Sequence, residues 1–325
     1  MSSYNYGSYI GDALDAILSQ SFRPYEVIIV DDASTDNSAE VINEFVRRDP
    51  IVKLVRNERN MGVHFVTERG ISLATGDYIY GAAADDRILP TFFEKSIDLL
   101  EQYPQAGLCS SDMAYIDVQG NRTGEYRAAD IAQASFLSPS EVLAELYKNP
   151  NYIIGGTTIF RRSALDEAGG FPPQLLSLCD WFTERAIALK HGACYIPEAL
   201  FLWRRTNENY SDACFRDTER MFEVIGHTVE LMRSPRYREN FPPEFVQFWS
   251  EWFGEQVIDA KWVRLVQHRN AFLEELGRCA NSSSWGERLF RRALRFTGHA
   301  ELLFCRLYLK RLRLRSILRE IERTN

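Results

Sequence analysis

Asp85-Asp86 follows a short apolar segment at Asp77 to Gly81 and precedes Pro90. A second acidic pair, Asp31-Asp32, closes the apolar run Val27-Ile28-Ile29-Val30. A third polar cluster, Ser2 to Asn5, opens the chain. Magnesium and manganese prefer carboxylate oxygens and keep positions open for substrate phosphates. Such a cation neutralises negative charge developing on a diphosphate leaving group. Asp85-Asp86 on a strand-end turn is a suitable anchor for one. Aspartates also cap turns and helices, and that reading stays open for both acidic pairs and for Asp36.

The elements that must position these residues alternate between two periods. Tyr9, Ala13, Ala16 and Ile17 mark an amphipathic helix over about Ser8 to Ser19. Glu26 to Val30 reads as a strand buried on both faces. Val41, Ile42 and Phe45 mark a second helix, Val52 to Val55 a second strand, and about Val63 to Ala74 a third helix. Asp77 to Gly81 opens a third strand, and Pro90 stands where the next helix begins. This alternation predicts a largely parallel sheet wrapped by helices. Nucleotides bind such sheets beyond the carboxyl ends of the strands, where the three polar clusters fall. From about Gly107 to Phe201 the pattern is mixed, with helices near 139–147 and 180–190. Beyond Asp212 it is helical and rich in aromatics. We expect one domain over 1–211 and a helical region over 212–325.

Gln20-Ser21-Phe22 and Glu26 to Asp36 closely resemble the signature of family 2 glycosyltransferases of the GT-A fold. Tyr4 to Ile10 resembles the end of that family's opening strand and its first helix. Asn60-Met61-Gly62, Gly70, Ala74 to Ile79 and Ala84-Asp85-Asp86 follow in the family's order. So do Phe160-Arg161-Arg162 and Gly169-Gly170-Phe171. The resemblance covers roughly residues 2 to 210. It implies a GT-A, Rossmann-like α/β fold and a metal-assisted, inverting transfer of sugar from a nucleotide-sugar donor, most simply a UDP-sugar.

The resemblance also implies roles. Asp86 would hold Mg2+ or Mn2+, and Asp85 would meet the ribose or the metal shell. Asp32 would accept from the base. Ser2 and Tyr4, at the end of the opening strand, would join the nucleotide-sugar site. Arg204 and Arg205 follow a strand-like Leu200 to Trp203. Guanidinium forks suit phosphate, and the family often has basic residues here near the diphosphate. A surface charge pair is the other reading. Asp180, in Cys179-Asp180-Trp181-Phe182, would be the base that takes the acceptor proton, with Glu184 next in line. Trp181 would stack an acceptor sugar or serve the core.

The chain departs from the family in three places. The opening strand is missing except for its last residues, so a Val/Ile-rich strand is expected upstream. Thr67 stands where the family commonly has Arg, with Arg69 close by. Thr206 stands where it often has His. A non-catalytic nucleotide-binding or scaffold protein that keeps the fold is the alternative these departures leave open. A dehydrogenase would need GxGxxG after an early strand, and none is present.

Charge is unevenly placed. Of a formal net charge of −7, the last 41 residues from Trp285 carry eleven basic and four acidic groups. Leu303, Leu307, Leu314, Ile317, Leu318 and Ile321 form an apolar stripe among them. That pattern suits an anionic membrane surface, or a helix packed on the acidic body. The acidic remainder disfavours nucleic acid. No apolar run approaches membrane-spanning length. The six cysteines form no CxxC pair and the five histidines no zinc pattern. Reduced thiols and a cytoplasmic or membrane-peripheral location are expected. The acceptor would be a glycan, polysaccharide or lipid-linked sugar, in polysaccharide or cell-wall biosynthesis.

Overall fold

The computed structural model describes residues 1–206 and 210–267, with backbone alone for 211, 212 and 258–267. The chain forms two compact units. The first comprises residues 1–209 and Pro235–Phe241; the second begins at Tyr210 and excludes that returning segment.

The first unit opens with three parallel strands: β1 (Ser2–Ser3), β2 (Val27–Asp31) and β3 (Val52–Arg56). Helices α1 (Ile10–Leu18) and α2 (Ser38–Arg48) connect them. Helix α3 (Val63–Leu73) follows β3. Side chains alternate across β2 because a strand has a period of two. Val27 and Ile29 pack with Ile10, Leu14, Ile42 and Phe45 of α1 and α2, whereas Ile28 and Val30 pack with Val66 of α3. Strand β1 is two residues long. It pairs Ser2 with Val30 and Ser3 with Asp31. A parallel bridge from Ser2 to Ala83 carries the ladder on toward the second sheet.

Strands β4 (Tyr78–Tyr80) and β5 (Arg87–Ile88) precede helix α4 (Phe92–Gln102). Pro90 lies just before that helix and not at its first position. Next come β6 (Leu108–Ile116), β7 (Arg122–Tyr126), β8 (Ser135–Leu137) and helix α5 (Pro139–Lys148). Strand β9 (Ile159–Arg161), helices α6 (Arg162–Ala168) and α7 (Cys179–His191), and strand β10 (Ala193–Arg204) complete the sheet unit. The second sheet runs β4-β9-β6-β10-β5, with β7 on β6 and β8 on β10.

Parallel pairing dominates the first half and recurs between β6 and β10; the other pairs here are antiparallel. Local chemistry explains the change. The β6–β7 hairpin turns at Gly120 (φ 87°), and Asp117 accepts from the N–H groups of Gln119 and Asn121. The β6–β10 register shifts between Ile196 and Phe201. Pro197 lies there and has no N–H to give the ladder.

The second unit contains α8 (Tyr210–Arg216), α9 (Thr218–Arg233) and α10 (Pro243–Gln267). Asp217 caps α9 by accepting from Arg220 N at 3.1 Å. Trp249 stacks on Phe253 at 5.4 Å, and Phe215 meets Phe253 at 5.7 Å. The expected single boundary at 211/212 is replaced by a break near 209 and a return at 235–241. Aromatics explain the return: Tyr237 donates to Ala168 O at 2.7 Å, and Phe241 stacks on Phe182 at 5.6 Å. The basic stripe, Cys279, Cys305 and the linker at 281–284 lie outside the described residues.

Candidate active site

A polar cluster is built where β1 and β2 finish. Two residues there have left-handed backbone, Asn5 (φ 59°) and Ala33 (φ 61°). Neither is glycine, and such strain gathers at functional turns. Asn5 Oδ1 accepts from Thr35 N at 2.8 Å, and Ser34 Oγ accepts from Asn5 N at 2.9 Å. Asp31 is fully buried and clamps its own turn by accepting from Ser34 N, Ser34 Oγ and Arg56 Nε. Asp36 accepts from Gly7 N and Ser38 N, tying the entry of α2 to the strand end.

Asp32 is 3% exposed. One carboxylate oxygen accepts from Asn57 Nδ2 at 2.6 Å and Met61 N at 2.9 Å, and the other from Gly62 N at 2.8 Å. Its side chain therefore folds the Asn60-Met61-Gly62 loop onto the end of β2. Gly62 takes φ 87°, a conformation open to glycine. Arg69 donates to Asn57 Oδ1, standing behind Asp32 one residue removed. Tyr4 is 43% exposed and Ser2 half-buried at the same strand ends.

Asp85 and Asp86 occupy the turn between β4 and β5. Asp86 Oδ1 accepts from Arg204 N at 2.8 Å, which fixes the end of β10 to the turn. Burial and the adjacent Asp85 charge push Asp86 well above the usual carboxylate range. Burial also raises Asp85, against the pull of Arg204. Among the described residues no group of three or more His, Cys, Asp or Glu is arranged around a metal.

The two arginines separate. Arg204 is 1% exposed. Its guanidinium donates to Asp85 O at 2.7 Å, Val118 O at 3.0 Å and Asp117 O at 3.2 Å, and lies over the Tyr9 ring at 4.8 Å. It supports the acidic turn from behind, so a diphosphate contact would require exchange of these partners. Arg205 is exposed, resting against Trp203 at 4.9 Å. Successive side chains on a strand point to opposite faces, and that separates the pair.

Asp180 stands in the first turn of α7 and accepts from Trp181 N at 2.7 Å. It is solvent-exposed, yet dense surrounding protein raises its pKa, as for a carboxylate lining a concave surface. Trp181 N–H, Arg185 and His64 oppose that rise. Gly155 makes room for the carboxylate: an added Cβ would lie 2.5 Å from Asp180 Oδ2. Tyr80 Oη donates to Gly156 O at 3.1 Å, and burial and the charge of Asp86 raise the pKa of its hydroxyl.

Sequence-distant groups come together here. Tyr80 feels the Asp86 charge and holds Gly156, and Gly155 abuts Asp180. From the other side, His64 follows the loop held by Asp32 and feels the Asp180 charge. Trp181 is 7% exposed and donates from Nε1 to Pro150 O at 3.1 Å, so it serves the core. Glu184 is 1% exposed, and burial raises its pKa to about 8.

The sequence model described as Glycosyl transferase family 2 matches residues 1–169. The chain belongs to glycosyl transferase family 2. The matched span contains Asp32, Asp85 and Asp86; Asp180 and the arginine pair lie beyond it. The protein Rv1520 of Mycobacterium tuberculosis is 28% identical over 238 residues, 71% of this chain and 66% of that relative. The glycosyltransferase YibD of Escherichia coli is 32% identical over 113 residues, 34% of this chain and 33% of its own length. The chain thus spans about two thirds or less of these relatives.

Among solved structures, Staphylococcus aureus TarS 1–349 in complex with UDP-GlcNAc aligns with TM-score 0.59 and 17% identity, covering 80% of this chain and 79% of that one. The mannosyltransferase PcManGT of Pyrobaculum calidifontis, in complex with GDP-Man and Mn2+, aligns with TM-score 0.56 and 18% identity, covering 96% and 85%. The chain shares the GT-A fold with both. Among its described residues no helix is long and apolar enough to cross a membrane.

The sequence pointed to the acidic residues, and to Arg69 beside Thr67, but not to the supports Tyr80, Asn57 and the Gly155-Gly156 turn. Phe160-Arg161-Arg162 and Gly169-Gly170-Phe171 flagged that neighbourhood without identifying the turn.

Proposed function

We propose that this glycosyltransferase moves a sugar from a nucleotide donor, most simply a UDP-sugar, to a glycan or lipid-linked hydroxyl in one inverting displacement. The observation that carries the reading is that Tyr80, whose hydroxyl feels the Asp86 charge, donates to Gly156 O beside Gly155, the glycine that abuts Asp180. That arrangement relates a carboxylate pair suited to a diphosphate's cation to a carboxylate suited to an acceptor proton.

Asp32 shapes the Met61-Gly62 loop at the nucleobase end, beside Ser2 and Tyr4. Asp85 and Asp86 would hold Mg2+ or Mn2+. They fit it, because they are hard oxygen donors whose burial and mutual repulsion a divalent cation would relieve. Bound there, it would neutralise charge on the departing diphosphate. Arg205 is the arginine free to approach the phosphates, and Arg204 holds the turn. Asp180 accepts the proton as the acceptor oxygen bonds to the anomeric carbon and the bond to the diphosphate breaks. Its raised proton affinity favours that task.

The donors named with the two solved structures, UDP-GlcNAc and GDP-Man, carry different bases, so both belong in a screen. The basic run from Trp285 onward would bring the chain to anionic headgroups, where a lipid-linked acceptor resides. A screen of nucleotide sugars, reading nucleoside diphosphate release with Mn2+, should find turnover in the wild-type chain and none in Asp86→Ala. Equal release by the two would reject the metal-assisted reading.

A further inference from the structure

Glu184 lies one helical turn beyond Asp180, and its burial bars it from meeting an acceptor. Its two oxygens are divided between two partners. Oε1 accepts from Thr158 Oγ1 at 3.0 Å, and Oε2 accepts from Arg185 Nη1 at 2.6 Å. Arg185 is fully buried and donates from Nη2 to Pro150 O at 2.9 Å and Ile153 O at 2.7 Å. Thr158 Oγ1 also reaches Ile154 O at 3.1 Å. Each partner of Glu184 is thus fastened to the segment Pro150 to Thr158.

That segment carries Gly155. An added Cβ there would lie 2.5 Å from Asp180 Oδ2 and 3.6 Å from Glu184 Oε1. Both carboxylates therefore converge on one glycine, one reaching solvent and one enclosed. Buried ion pairs seldom stabilise a fold beyond what apolar side chains would achieve, and their best-attested use is to specify one arrangement. Here the arrangement specified is the spacing between α7 and the turn beneath Asp180.

We propose that Glu184 is a positioning residue for glycosyl transfer: by joining Thr158 to Arg185 it clamps the Pro150–Thr158 segment to α7 and so fixes the Asp180 carboxylate toward the acceptor. This rests on the reading of Asp180 as the base. The charged and titratable groups around the pair are His64 from α3, Arg185 and Cys179 from α7, and Tyr152 from the clamped segment. Arg185 ties α7 to Pro150 and Ile153, and Glu184 adds the tie to Thr158 at the other end of the segment.

Glu184→Gln tests the clamp in the full chain. Gln replaces one acceptor oxygen by an NH2 donor, so the bond donated by Thr158 or by Arg185 can no longer be made in its present direction and the spacing must readjust. Misplacement of a catalytic group by about 1 Å costs up to roughly a hundredfold in rate. Glu184→Gln should lower kcat about ten- to a hundredfold while donor KM stays at the wild-type value. A merely structural role would instead leave kcat per folded molecule unchanged, or move kcat and donor KM together, and either result overturns the proposal. Thr158→Val removes one link and leaves the ion pair, so it decides the matter if Glu184→Gln does not fold. It should lower kcat alone, and wild-type kcat would count against the clamp. Asp180→Asn run in parallel separates the two ideas: wild-type turnover by that variant removes the base, and with it the reading beneath this proposal.

Discussion

The ends of β1 and β2 and the start of α7, proposed above as the nucleotide and acceptor ends of the site, treat their carboxylates in opposite ways. Asp31 and Asp32 are enclosed and satisfied by backbone N–H groups, a hydroxyl, an amide and a guanidinium. Asp180 accepts one backbone N–H and keeps an open side to solvent, and burial without sufficient compensation raises its pKa. Satisfied carboxylates make a rigid mould, whereas an undercompensated one is ready to take a proton. The acidic turn at Asp85-Asp86 lies between these cases, pinned by Arg204 yet charged beyond what one guanidinium offsets.

The largest effect should come from Asp180→Asn. The amide keeps the shape but cannot take the acceptor proton, so kcat should fall about 10²- to 10⁴-fold. Steady-state diphosphate release measures it, and a near-normal kcat would break the contrast between the two ends. Gly155→Ala comes next. Its methyl would lie 2.5 Å from Asp180 Oδ2, so the carboxylate must move, and kcat should fall about tenfold or more. An unchanged rate would mean that the spacing beneath Asp180 is immaterial.

Asp32→Ala should act on the mould. It leaves Asn57 Nδ2 and the N–H groups of Met61 and Gly62 without their acceptor, at about 1–3 kcal/mol for an orphaned buried donor. Denaturant unfolding should register that loss, together with weaker nucleotide binding. Loss of turnover at unchanged stability and affinity would place Asp32 in the chemistry instead.

The smallest effect is a slope. Glu184 rises from 4.5 to about 8 in the folded chain. Between those values the folded state holds a proton that the unfolded state has released. This contribution to stability is full below 4.5 and is lost as pH rises through about 8. Glu184→Gln should flatten the decline seen in chemical denaturation across that window. An unaltered slope would show that Glu184 does not carry it.

The sequence was most legible where local pattern and strand position coincide. The β2 run, the acidic residues at its end and the pair at Asp85-Asp86 could be placed without coordinates, because strand ends in such sheets face the ligand. Arg204 and Arg205 were not separable, since two adjacent arginines look alike until a strand assigns one to each face. Asn57 and Tyr80 were invisible because they act through partners far away in the chain, and Arg69 was seen without its partner Asn57. Gly155-Gly156 carries no side-chain chemistry, and its meaning lies in the room it leaves for Asp180 and Phe201. The antiparallel half of the second sheet was legible only as a mixed pattern, because short strands and hairpin turns leave partner choice to tertiary packing.

Donor binding and proton removal are proposed to reside at separate ends of one site. Calorimetric titration of UDP with Mn2+ into the wild-type chain, Asp180→Asn and Asp86→Ala separates them. Asp180→Asn should bind with wild-type affinity, and Asp86→Ala should lose the Mn2+-dependent binding. Wild-type Mn2+-dependent binding by Asp86→Ala, or its loss in Asp180→Asn, would contradict the proposal.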